Sequence, residues 1–161
     1  MTRQEPGALR VPVGWRLRGR PQPVEAREVR AYERTTGTVL PEALRRLYLD
    51  WGAGSLGGFL DLASPRAIVT HRELVGPLLE PEDEPLIAPT AEVRVFGRTV
   101  NGDLVGWAEG VDELDRVVRL AGFDQLPLEP TTAAFLDALT HADLFGVGPL
   151  DGGYRAGRPA G

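Results

Sequence analysis

Cysteine and lysine are both missing from these 161 residues, and serine occurs only at Ser55 and Ser64. Without cysteine there is no disulfide framework, no thiol nucleophile and no thiolate metal site. No apolar run approaches the roughly 20 residues that cross a bilayer. The opening MTRQEPGALR lacks the apolar stretch of a secretory signal, so a cytoplasmic location is expected. All 18 cationic side chains are arginine, a bias of GC-rich coding sequence rather than a functional signal.

What remains is ordinary globular composition, 42% hydrophobic and 25% charged, enough for one domain that buries roughly 70% of its unfolded surface. Net charge is −5, unevenly spread: residues 1–30 hold seven arginines against three glutamates, and the remainder is acidic. An acidic body repels phosphate, so nucleic-acid binding by the main domain is not expected. Prolines among arginines mark residues 1–23 as a flexible leader, and DGGYRAGRPAG marks 151–161 as a disordered tail. The domain is expected at 24–150.

Helical spacing runs through residues 24–36, closed by Gly37 as a left-handed cap. A second helix opens at Pro41 in LPEALRRLYLDWG. Leu40, Leu44, Leu47, Tyr48 and Trp51 form its apolar stripe, and a buried Tyr48 hydroxyl would need a partner. FLDLA reads as a strand, PRAIVTHREL as strand or helix, 80–85 as an acidic loop, and LIAP as a short strand. EVRVFGRTV and DLVGWAE flank Asn101-Gly102, the favoured pair of a two-residue type I′ hairpin. In that register Val100 faces Asp103, Arg98 faces Val105 and Phe96 faces Trp107, with Asp103 diagonally in reach of Arg98. VDELD makes the next turn, RVVRLA a third strand, and a helix from Thr131 or Thr132 through Leu139 ends near Asp143. Helices, a mostly antiparallel sheet, then a closing helix make an α+β domain.

WGAGSLGG at residues 51–58 matches two catalytic patterns by letter. Gly52, Gly54 and Gly57 spell G-x-G-x-x-G, and AGSLG is one substitution from a nucleophile elbow at Ser55. Both motifs need a strand entering and a helix leaving, so that amides and the positive helix end face the ligand. Here a helix enters and a strand leaves. The glycines therefore serve the backbone, and a hydrolase built on Ser55 or His71 stands only as a formal competitor. His71 and His141 lack metal-ligand spacing. His71 could pair with Asp61 or Glu73, and His141 with Asp137 or Asp143, but scattered surface histidines explain both. Abundant carboxylates single out no catalytic pair. Trp51 and Trp107 read as core; Trp15 either packs back on the domain or is exposed for a partner.

The ordered landmarks Glu33, Gly37, Leu40, Pro41, Trp51, Gly52, Gly54, Asn101, Gly102, Asp103 and Trp107 resemble the SUKH superfamily. That superfamily includes fungal cell-wall-synthesis regulators and bacterial toxin-immunity proteins. The likeness covers about residues 24–145. The family's Asn-Gly-Gly-like turn is replaced here by Trp51-Gly52-Ala53-Gly54, which drops any asparagine contact. The resemblance implies a non-enzymatic domain, without cofactor or metal, that binds a protein partner such as a cognate toxin. A regulatory or scaffold module of the same fold is the alternative. Complementarity to a basic toxin points to Glu80, Glu82, Asp83, Glu84, Glu109, Asp112, Glu113 and Asp115 as the contact face.

Overall fold

Leu44, Leu47 and Tyr48 lie on one side of a helix with Leu40 just before it, and all four are buried. The structure, a computed structural model, describes residues 12–109 and 115–157. Helix α1 (Ala26–Thr36) ends at Gly37, whose φ of 68° lets its amide donate to the Glu33 carbonyl. Helix α2 (Glu42–Asp50) follows Pro41, which takes the capping position just outside the first turn. Both helices lay their apolar stripes on one face of a nine-stranded sheet.

The sheet comprises β1 (Arg16–Leu17), β2 (Gly54–Leu56), β3 (Leu60–Leu62), β4 (Val69–Thr70), β5 (Arg94–Thr99), β6 (Leu104–Glu109), β7 (Asp115–Ala121), β8 (Asp124–Glu129) and β9 (Gly153–Ala156). Its order is β1-β9-β2-β3-β5-β6-β7-β8, with β4 also beside β5; only the β1–β9 pair is parallel. A third helix on the same face, α5 (Thr132–Ala138), brings Phe135 and Leu136 into the core. With these helices, the molecule is an α+β domain.

Period-two alternation decides which strand residues join the core. Leu56, Leu60, Leu62, Val105, Trp107, Val117 and Tyr154 point at the helices and are buried. The opposite face carries a smaller apolar cluster, Val93, Val95, Val118 and Leu120. Two short helices, α3 (His71–Val75) and α4 (Glu84–Ile87), lie on the segment that runs from β4 back to β5.

Several expectations give way here. Residues 12–23 are not a loose leader: Trp15 is buried, its indole N–H donates to the Leu136 carbonyl at 2.9 Å, and β1 pairs with β9. Nor is the stretch to residue 157 a loose tail, since β9 lies between β1 and β2 and buries Tyr154. Aromatic burial outweighed the glycines around it. The parts of the proposed leader and tail at 1–11 and 158–161 fall outside the described residues. LIAP is not a strand; proline at Pro85 suits a helical first turn, and Glu84–Ile87 is helix α4. The acidic loop before it contains a 3-10 turn at Pro81–Asp83. Helix α5 stops at Ala138, short of Asp143.

The Asn101-Gly102 hairpin forms with a longer loop. Thr99 N–H donates to the Asp103 carbonyl and Gly102 N–H to the Thr99 carbonyl, both at 2.9 Å, enclosing three residues. Gly102 at φ 88° completes the reversal. The register therefore moves by one: Arg98 faces Leu104 and Gly97 faces Val105, and a bulge at Phe96 restores the alternation. Because the bulge leaves Phe96 on the core side, its ring still meets Trp107, at 6.0 Å. Asp103 is carried away from Arg98 and pairs instead with Arg119 at 2.6 Å.

Candidate interaction surfaces

The WGAGSLGG stretch supplies backbone, as its polarity requires. Gly52 has φ 93°, and a Cβ there would stand 1.9 Å from the Gln22 carbonyl. That close approach lets Gln22 N–H donate to the Trp51 carbonyl and Val24 N–H to the Tyr48 carbonyl, both at 2.8 Å. Residues 22–24 thus cap the C-terminal end of α2. The Tyr154 hydroxyl donates to the Gly52 carbonyl at 2.6 Å. A Cβ on Gly54 would stand 2.0 Å from the Arg155 carbonyl. More than a bend, the stretch holds strand β2, where Ser55 sits between Asp61 and Arg155.

Three rings pack around this junction. Trp51 stacks on Tyr154 at 5.5 Å, and Trp15 approaches Tyr154 at 5.4 Å. Tyr48 is fully buried alongside, and its hydroxyl has no hydrogen-bond partner among the described residues. Burial and the neighbouring Tyr154 and Tyr32 push that phenol far above its ordinary pKa. It is a neutral core group.

The two histidines differ sharply. His71 is buried, not on the surface, and its Nδ1 lies 2.7 Å from the Thr90 hydroxyl rather than near Asp61 or Glu73. Burial lowers its pKa below the usual 6.5. His141 is exposed, 3.1 Å from the Thr140 hydroxyl instead of from Asp137 or Asp143. No group of three or more His, Asp or Glu side chains is arranged to hold a metal ion among the described residues.

The acidic candidates do not form one set. Asp83 accepts from the Glu80 amide at 3.0 Å, and Glu84 holds Arg72 through two bonds of 2.8 and 2.6 Å. Glu80 and Glu82 are exposed. Asp115 caps α5, accepting from both the amide (3.0 Å) and the hydroxyl of Thr132. Glu109 ends strand β6, whereas Asp112 and Glu113 lie outside the described residues, as does most of the VDELD turn. Exposed Glu80 caps the 3-10 turn, and Glu82 is thus the carboxylate of the first stretch presented outward without a fold contact among the described residues. Leu78 and Leu86, on either side of it, are 83% and 51% exposed. Sequence reading missed them because short apolar residues in a proline-rich stretch read as cover for the core.

The remaining landmarks brace the frame. Glu33 on α1 pairs with Arg45 on α2, tying the two helices across Gly37. Asp103 and Arg119 join the β5–β6 turn to β7, and Arg119 also lies 6.0 Å over the Phe145 ring. An open cleft of about 1160 Å³ separates α1 from the 64–69 segment, with Ala53, Ala63 and Gly157 along its wall. Arg66 and Glu28 are joined beside it at 2.8 Å. Against protein-family models, curated proteins and solved structures, the chain gives no match.

Proposed function

We propose that this chain is a non-enzymatic protein-binding domain that acts as SUKH-type immunity proteins do, by binding a cognate toxin domain and covering its active site. The observation that carries the reading is the use made of the resembling residues. Glu33 goes to a helix–helix ion pair, Gly52 to a close backbone approach, Gly102 to a turn and Asp103 to Arg119. They hold a frame and converge on no reacting atom. Net charge of −5 favours encounter with a basic partner, and the site of action in this reading is the cytoplasm.

The contact face in this reading centres on exposed Glu80 and Glu82. The test is to read the neighbouring genes and, with a toxin domain encoded there, to run titration calorimetry and an inhibition assay. Binding with loss of toxin activity is expected, and Glu80→Arg/Glu82→Arg should weaken it at least tenfold. Absence of binding, or binding without neutralisation, would overturn the immunity reading and favour the regulatory or scaffold alternative, which has no toxin partner.

A further inference from the structure

On the face of the sheet turned away from α1, α2 and α5, one half carries the apolar cluster of Val93, Val95, Val118 and Leu120, and the other half is polar. Strand register places a row of side chains across the polar half: Arg155 on β9, Ser55 on β2, Asp61 on β3 and Arg98 on β5. Arg16 on β1 lies opposite Gly153 and projects to the same side. Arg18 joins them, because a Cβ on Gly153 would meet its Nε at 3.3 Å. All four arginines are exposed, and none has an ion-pair partner among the described residues. On a chain of net charge −5 this is a concentrated cationic surface, four arginines with two carboxylates, Asp61 inside the row and Asp151 at its Arg18 end, where a Cβ on Gly153 would meet its Oδ1 at 2.9 Å.

We propose that this face docks an acidic segment of a partner protein, carboxylates taking Arg98 and Arg155 and a cation between them taking Asp61. This second surface does not rest on the toxin reading. Three strand spacings separate Arg98 from Arg155, about 14 Å, so one short segment spans both. Guanidinium groups suit bidentate carboxylate contacts, and the β-ladder fixes their spacing before the partner arrives. A partner protein fits better than nucleic acid. Asp61 would repel an unbroken line of phosphates, and no aromatic ring stands in the row to stack a base.

The test uses fluorescence anisotropy at low salt with two labelled peptides, four glutamates on each side of a lysine and nine glutamates in a row. Saturable binding of the lysine-centred peptide is expected, at least tenfold weaker for Arg98→Glu/Arg155→Glu. Glu80→Arg/Glu82→Arg should leave it unchanged. Asp61→Arg should reverse the preference toward the all-glutamate peptide. Should the double reversal fail to fold, Arg98→Gln/Arg155→Gln gives the same comparison with smaller perturbation. No saturable binding, or equal binding by wild type and the arginine variants, overturns the proposal. A labelled ten-thymidine oligonucleotide that binds more tightly than either peptide overturns it in favour of nucleic acid.

Discussion

At the scale of single residues, two glycines share an unusual backbone and differ in what surrounds them. Gly52 and Gly102 have φ of 93° and 88°, but a Cβ at Gly102 meets nothing within 4 Å whereas one at Gly52 collides with a carbonyl. Gly102→Ala pays only the conformational penalty, about 1 kcal/mol. Gly52→Ala must also push residues 22–24 off the end of α2, and should cost about 3 kcal/mol or more. Urea denaturation of the two variants measures the order, and equal costs would show that the Gln22–Trp51 contact contributes nothing. The role of Gly52 was legible in sequence as a helix stop. Its partner was not, because the carbonyl it admits comes from residues 22–24, which prolines and arginines make look unstructured.

At the scale of elements, stretches with strong local signals were readable and stretches that depend on distant partners were not. Helices α1 and α2 carry periodic apolar stripes and recognisable caps, so their positions follow from sequence. The β5–β6 hairpin was readable as a hairpin, but its register was not. The bulge at Phe96 and the three-residue loop are choices made by core packing. Strands β8 and β9 escaped notice for opposite reasons. β8 is an edge with Pro127 and an exposed first half, so it lacks the alternation of a half-buried strand. β9 is four residues long inside a glycine-rich stretch, and only its neighbours β1 and β2 make it a strand.

Asp115 shows the same principle at the candidate site. Sequence places it among the acidic contact residues, but it is spent on the first turn of α5. Asp115→Ala should lower stability by about 1–2 kcal/mol through loss of that cap. Circular dichroism melts check this, and unchanged stability would return Asp115 to the solvent-facing set. Side-chain engagement, which sequence does not report, separates exposed Glu82 from Asp83, Glu84 and Asp115.

Across the whole molecule, stability has a specific dependence on pH. Buried His71 has a lowered pKa when folded, so the unfolded chain binds the proton more readily. Stability from this group is fully present above about pH 6.5 and declines as pH falls toward the folded value. Glu84, held below its usual value by Arg72, responds only in the more acidic range below about 4.5. Denaturation midpoints measured from pH 8 to 5 should fall, and His71→Gln should flatten that slope. A slope unchanged in the variant would assign the effect elsewhere. No helix among the described residues is long and apolar enough to cross a membrane.

The insertion of β9 between β1 and β2 has a consequence for the order of assembly during translation. Residues 16–17 and 54–56 emerge early, and 54–56 can pair at once with β3, yet β1 and the free edge of β2 find β9 only when residues 153–156 have left the ribosome. Until then Trp15 and Trp51 lack the Tyr154 ring that packs against both. The nascent chain therefore carries an open seam between β1 and β2 until residues 153–156 arrive to fill it. Tryptophan fluorescence is a natural clock for that closure.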